Sequence, residues 1–351
     1  MLLPELTRLD SRPISDDLGE IRLFGVVKDE SLRLPYFLDY YRRAGVAQFF
    51  IVDNDSTDGT TAFLLQQPDC YVFHTKASYA QSRAGVTWLN CLLDLYGTGH
   101  WIVLADADEL FTYPLGEERA LPALCRWLDA RDYQGVFALL LDMYSDRPLK
   151  QIRYARGDDL LKVCRYFDRD YHFVRRLGVP LVAPAFPGIE PIGGPRLRLC
   201  FPRQNTAALW PRLRVKIVRR LARLGVKSGL AREAWGESVA TQAFKVPLVK
   251  WRRGYAFINS HRLNCIRLAP ITGALLHFKY LQDFSGRVEA AIASGMHYDG
   301  SAEYKQYAKL LRGDPEMSMM YSGSEIYRSS NDLVRLKLIS TDPGWEQSCV
   351  A

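Results

Sequence analysis

The chain has 351 residues, 48% of them hydrophobic and 24% charged, with a formal net charge of +7. That length builds one large domain or two modest ones around an ample core, and the composition is that of a globular protein rather than a disordered or fibrous one. No window has the unbroken apolar length of a membrane span, and the positive balance suits an anionic partner.

The opening Met1-Leu2-Leu3-Pro4-Glu5 is too short an apolar run for a secretory signal. Seven scattered cysteines, none in a Cys-x-x-Cys pair, indicate neither a disulfide framework nor a zinc knuckle. A cytoplasmic protein with reduced thiols is expected.

Residues 1–20 are polar and read as a lead-in along the surface. Ile21–Val27 reads as a first strand ending in Lys28-Asp29-Glu30. Those charges suit either a nucleotide contact at a strand end or a salt-bridge cluster in a loop. Pro35 suits a first helical turn, and Tyr36, Phe37, Tyr40, Tyr41 and Ala44 recur at helical spacing up to Gly45. Phe49–Val52 is a second strand. It runs into the polar turn Asp53-Asn54-Asp55-Ser56-Thr57-Asp58-Gly59-Thr60, which can cap a helix over Ala62–Gln66. Tyr71–Phe73 is a third strand, and a helix is expected from about Tyr79 to Tyr96.

Trp101-Ile102-Val103-Leu104-Ala105 is apolar throughout, as in a strand buried on both faces. Asp106, Asp108 and Glu109 follow within four positions. Residues two apart on an extended chain share a side and lie roughly 6.6 Å apart, so Asp106 and Asp108 are expected to face one crevice. Two anionic oxygen donors there suit a Mg²⁺ or Mn²⁺ ion that keeps positions open for substrate phosphates. The plain alternative is a solvated acidic turn. Ligands of open α/β sheets bind at the carboxyl ends of such strands, which favours the metal.

Leu121, Leu124, Cys125 and Leu128 mark a further helix, and Val136–Leu141 a strand that also ends in an acid, Asp142. Strands alternating with helices in this way imply an α/β fold with a mainly parallel central sheet flanked by helices. Beyond residue 150 the pattern becomes irregular. Gly178–Gly194, rich in proline and glycine, reads as a loop facing an acceptor. Lys245–Trp251 and Tyr255–Asn259 read as strands, and Gln282–Ser294 and Ala302–Leu311 as helices. Ala274–Tyr280 alternates so that His277 and Lys279 share a face.

Pro211–Arg232 carries Arg212, Arg214, Lys216, Arg219, Arg220, Arg223, Lys227 and Arg232 with no acid, beside an apolar stripe at helical spacing. It fits peripheral contact with an anionic membrane and, equally, a solvated helix packed on the domain. No helix-turn-helix, zinc or RNA-stacking signature accompanies the charge, so no nucleic-acid partner is expected. The expected organisation is a lead at 1–20, a regular α/β half at 21–150, a less regular half at 151–312 that includes 211–232, and a C-terminal tail at 313–351.

Phe24-Gly25-Val26-Val27-Lys28-Asp29-Glu30, the Asp53–Thr60 turn and Asp106-Ala107-Asp108-Glu109, in that order, resemble the family-2-like glycosyltransferases of GT-A fold. Gly193-Gly194-Pro195-Arg196, Lys245-Val246-Pro247-Leu248-Val249, Ser260-His261 and Leu275–Lys279 look like the same bacterial subgroup. The resemblance covers about residues 20 to 312. It implies a GT-A-like fold whose first half holds a nucleotide-diphosphate sugar, usually a uridine one. Asp53 or Asp55 would contact the nucleoside, with Lys28 and Glu30 beside it. Asp108 would bind the metal directly, with Asp106 at the ribose or a metal-bound water. Arg83 would reach the pyrimidine or a phosphate, His277 would complete the metal shell, and Lys279 would neutralise a phosphate.

Family-2 enzymes invert at the sugar carbon, which needs a carboxylate base. Asp142 is the first choice, with Asp168 and Glu190 as alternatives. The expected function is transfer of a sugar to a cell-envelope glycan or glycolipid, on the cytoplasmic side of the membrane or peripheral to it. One alternative is a sugar-phosphate nucleotidyltransferase, which would need a glycine-rich loop after the first strand. The other is a non-catalytic, membrane-associated nucleotide-sugar-binding protein.

Overall fold

Strands that are apolar on both faces can lie only inside a layered sheet, and helices must cover the two sides. The computed structural model describes residues 1–175, 189–205, 242–264, 266–295, 298–314 and 316–348. Its first seven strands are β1 (Thr7–Arg8), β2 (Ile21–Val27), β3 (Val46–Asp53), β4 (Cys70–His74), β5 (Trp101–Leu104), β6 (Glu109–Thr112) and β7 (Gly135–Tyr144). They are followed by β8 (Tyr166–Asp168), β9 (Tyr171–Arg175), β10 (Ile189–Gly193), β11 (Phe244–Lys250), β12 (Phe257–Asn259), β13 (Arg262–Leu263), β14 (Leu268–His277) and β15 (Ser324–Ile326). The helices of the first half are α1 (Leu34–Arg43), α2 (Thr60–Leu65), α3 (Val86–Tyr96), α4 (Leu121–Asp129) and α5 (Leu160–Val163). Then come α6 (Gly194–Cys200), α7 (Phe284–Ser294), α8 (Tyr298–Gly313), α9 (Ser330–Arg335) and α10 (Pro343–Gln347).

The central sheet runs β1-β4-β3-β2-β5-β11-β7-β14-β6. β2 pairs in parallel with β3 and β5, β3 with β4, and β7 with β14. β11 runs antiparallel between β5 and β7, and β6 antiparallel along β14. Alternate side chains of each strand enter different cores. Leu23, Phe49 and Ile51 join Phe37 and Tyr41 of α1 and Leu124 of α4, whereas Phe24, Phe50 and Val52 join Val86, Trp88 and Leu92 of α3. The helices therefore flank both faces of a mixed α/β sheet. No helix among the described residues is long and apolar enough to cross a membrane.

Several expectations change. α3 begins at Val86, because Arg83, Ala84 and Gly85 all have positive φ, which no helix interior accommodates. Arg83 thus precedes the helix. The acids after β5 lead into a strand, β6, that the apolar run had obscured. Within the expected 178–194 loop, Ile189–Gly193 pairs with β9 and Gly194 opens α6, while residues up to 188 lie outside those described. The basic segment 211–232 also lies outside the described residues. The region read as a tail packs on the domain: Trp345 is buried and its indole donates to the Pro114 carbonyl, and Glu117 accepts from Ser330 and Tyr327.

β2 and β5 approach so closely at Gly25 that a Cβ there would sit 2.8 Å from the Ala105 carbonyl oxygen. That carbonyl opens the acidic turn. Gly25→Ala should force the strands apart and cost about 1–3 kcal/mol, the usual penalty of overpacking, read as a lower urea midpoint at unchanged m-value.

Candidate active site

A short turn leaves the buried end of β5 and enters β6, closed by the Glu109 amide on the Asp106 carbonyl at 3.0 Å. The Phe278 amide donates to the Asp108 carbonyl at 2.8 Å, which ties the turn to the end of β14. Sheet register does the rest. His277 stands opposite Glu109 of β6 on one side and Asp142 of β7 on the other. Its Nδ1 donates to Asp142 Oδ1 at 2.6 Å, and its Nε2 lies 3.5 Å from Asp108 Oδ2. Burial disfavours a charged imidazole, but the two aspartates outweigh it and hold the His277 pKa up at about 9. Burial likewise opposes the Asp108 carboxylate. The facing His277, with Arg287 and Arg33 behind it, nevertheless keeps that group well below the usual range.

Lys245 on β11 supplies the second anchor. Its Nζ is 2.6 Å from Asp106 Oδ2 and 2.7 Å from Glu109 Oε1, and both Lys245 and Glu109 are buried. Burial pushes the Glu109 carboxyl up, against the pull of the Lys245 ammonium. On the opposite flank Glu30 is buried between Arg287 at 2.9 Å and Arg33 at 3.3 Å, and Arg33 also grips Asp283 through two bonds at 2.7 and 2.8 Å.

Asp108, His277 and Asp142 are thus brought together, but Asp106 is drawn to Lys245 instead of standing with them. Among the described residues no three His, Cys, Asp or Glu side chains form a group that could hold a metal. Mg²⁺-like ions are commonly held by one or two protein groups plus substrate phosphates. Asp108 and His277 fit that smaller demand, and a carboxylate on Nδ1 is the usual support of a ligating histidine.

The other expected residues distribute as follows. Asp142 is buried with its carboxylate on His277 and 3.7 Å from Arg196, so it orients the histidine and is not exposed to take a proton from an acceptor. Asp168 is buried in a two-bond pair with Arg198 (2.9 and 3.1 Å) and accepts from Tyr144 at 2.6 Å, which leaves it equally unsuited to act as a base. Glu190 is half-buried on β10, opposite Val174. Lys279 pairs with Glu303 at 2.9 Å and lies against the rings of Tyr304 and Tyr307, so its charge is already matched within the protein.

Asp53 is fully buried, and its carboxylate accepts from Ser56 and Thr61, which commits it to the shape of the loop. Asp55 is half-exposed at φ +60°, 3.5 Å from His74. Lys28 donates to the Asn54 and Asp55 carbonyls at 2.9 and 3.1 Å. Arg83 is exposed and reaches Thr87.

The sequence reading missed Arg33, Arg196, Lys245 and Arg287 as site residues. Two of them left a signal: Arg196 closes the Gly193-Gly194-Pro195-Arg196 block, and a lysine within the otherwise apolar Phe244–Val249 strand requires a buried carboxylate partner.

No family model matches the chain, and no curated protein matches it. Among solved structures it is similar to one described as a putative glucose-1-phosphate thymidylyltransferase from Bacillus anthracis in complex with a sucrose. That pair is 8% identical with a TM-score of 0.25, over 40% of this chain and 64% of the other. It is also similar to a 4-diphosphocytidyl-2C-methyl-D-erythritol synthase, 15% identical with a TM-score of 0.24, over 40% of this chain and 68% of the other. The chain thus spans less than two thirds of the thymidylyltransferase, and likenesses this weak carry no argument about function.

Two outcomes follow from the buried charges. Lys245→Met strands Glu109 and should cost about 3–5 kcal/mol in urea unfolding, with most of it recovered in the Lys245→Met/Glu109→Gln double variant. His277 has a folded pKa of about 9 against an ordinary 6.5. Its stabilising effect is therefore complete below the unfolded value and lost as pH rises through the folded one. In EDTA, wild type should lose about 3 kcal/mol more stability than His277→Gln between about pH 6 and about pH 10.

Proposed function

We propose that the protein is a metal-dependent, inverting glycosyltransferase of the GT-A kind, using a nucleotide-diphosphate sugar, with UDP as the expected nucleotide. The supporting observation is the Asp108–His277 pair at the carboxyl ends of the sheet strands, with Asp142 holding the far nitrogen of the imidazole. Asp108 and the His277 Nε2 are the groups that would hold Mn²⁺ or Mg²⁺. The ion would supply Lewis-acid charge to a departing diphosphate. Entry of the ion requires His277 to give up its proton.

Asp106, half-exposed and steadied by Lys245, is assigned to the donor ribose. Asp55 and Lys28, at the open end of the Asp53–Thr60 loop, are assigned to the nucleoside, and Asp53 to shaping that loop. Asp142 and Asp168 are spent inside the protein, so the acceptor's proton must pass to another group. A glycan or glycolipid acceptor, and contact of residues 211–232 with an anionic membrane, belong to the same proposal and rest on the sequence.

The competing nucleotidyltransferase reading needs a glycine-rich loop after β2. That loop has no glycine from Lys28 to Arg33, and it is fastened by side chains instead: the Glu30 amide to Thr60, and the Ser31 amide to Asp58.

Calorimetry with UDP tests the proposal. Binding should require Mn²⁺ and weaken at least about ten-fold in Asp108→Asn. Equal binding in EDTA, or none with metal, refutes the metal-dependent transfer. Release of pyrophosphate from a nucleoside triphosphate and a sugar 1-phosphate would establish the competing reading.

A further inference from the structure

Behind the histidine the buried charges continue with alternating sign into Arg196, Glu303 and Lys279, which the proposed reaction does not use. Starting at α8, Glu303 pairs with Lys279 at 2.9 Å and with Arg196 at 3.9 Å. Arg196 stands 3.7 Å from Asp142, which accepts from His277 at 2.6 Å, and His277 faces Asp108 at 3.5 Å. None of these side chains is more than 14% exposed, so solvent screens these charges little.

The local fold is built to deliver Arg196. At Gly193 and Gly194, φ is +150° and +85°, and a Cβ at either would collide with the Asp170 carbonyl or the Tyr171 hydroxyl. Only glycines let the chain pass this close to Tyr171 and turn at once into α6. Pro195 then fills the first turn, and the next side chain is buried between two carboxylates.

We propose that Arg196 is a positioning residue for His277, acting through Asp142, with Glu303 holding Arg196 from the other side. Asp142 has two oxygens: Oδ1 accepts from His277 Nδ1 and Oδ2 faces the guanidinium. With Arg196 in place the carboxylate stays charged and fixed in rotation, so Nε2 points at Asp108. Without it, Glu303 keeps Lys279 but Asp142 is left with His277 alone, and the Oδ2 side of its carboxylate loses the charge that fixes its rotation. Support of this kind behind a ligating histidine is commonly worth 10–100-fold in metal affinity.

The test uses the full chain labelled with ¹⁵N-histidine. In metal-free protein the His277 Nδ1 proton should give a far-downfield resonance, assigned by its loss in His277→Gln. It should persist in Arg196→Lys and be shifted or broadened away in Arg196→Gln. Mn²⁺ affinity, read by water-proton relaxation, should fall about ten-fold or more in Arg196→Gln and stay within about three-fold of wild type in Arg196→Lys. If Arg196→Gln does not fold, Glu303→Gln is measured in its place, with a displaced resonance expected. An unchanged resonance in the folded Arg196→Gln variant, or in Glu303→Gln where it replaces it, overturns the proposal. Only the affinity measurement rests on the proposed metal site. If wild type binds no Mn²⁺ but the resonance still depends on Arg196, the positioning role stands and the metal reading falls.

Discussion

The site depends on one buried arrangement, an imidazole clamped between an aspartate of one neighbouring strand, β7, and an aspartate of the turn that enters the other, β6. His277 can reach both Asp142 and Asp108 because β14 lies between β7 and β6, parallel to one and antiparallel to the other. A one-residue slip against either neighbour would send the imidazole to the opposite face. The long β7–β14 ladder and the apolar residues of both strands make that slip costly. The same side chains that build the core, Leu139, Leu141, Ala274 and Leu276, therefore also set the position of the histidine. Stability and site geometry are one constraint here.

The second feature is charge balance achieved within the protein. Asp106 and Glu109 are answered by Lys245, Asp108 and Asp142 by His277 and Arg196, and Glu30 by Arg33 and Arg287. Buried carboxylates need such partners, because leaving water costs more than any one contact returns. Apart from Arg33, three residues from Glu30, the partners come from β11, β14, α6 and α7, and Arg287 is 257 residues from the Glu30 it balances. The crevice is thus assembled late in the chain, although its acids appear early.

That separation explains what could and could not be read from the sequence. Ile21–Val27 and Trp101–Leu104 were legible because apolar runs between polar turns declare themselves locally, and the acids at their ends stood out for the same reason. β6 was hidden: Glu109–Thr112 follows an acidic turn directly, and only pairing with β14 makes it a strand. The surroundings of Asp106 and Asp142 were hidden for a different reason. An acid at a strand end looks available until its counter-charge is found, and Lys245 and Arg196 carry no local mark that names the acid each will meet. Asp53 illustrates the converse, since a motif that resembles a ligand contact is consumed by its own Ser56 and Thr61.

The balance of charge also bears on how a ligand would arrive. A crevice whose acids are already matched by resident cations has weak electrostatic reason to take up a lone divalent ion, since His277, one of the groups that would hold it, must first lose a proton. It has equally weak reason to take up a lone diphosphate, which would meet the Asp108 carboxylate. A diphosphate carrying its ion has little net charge, and it offers each flank what that flank lacks: metal to Asp108 and a neutral His277, anionic oxygen to the side where Arg287 lies. The physical expectation is linked binding of the two, each raising the affinity for the other by the same factor. On this view Lys245 has a definite part. By holding Asp106 and Glu109 it keeps two of the acids from adding to the repulsion that an incoming diphosphate would meet.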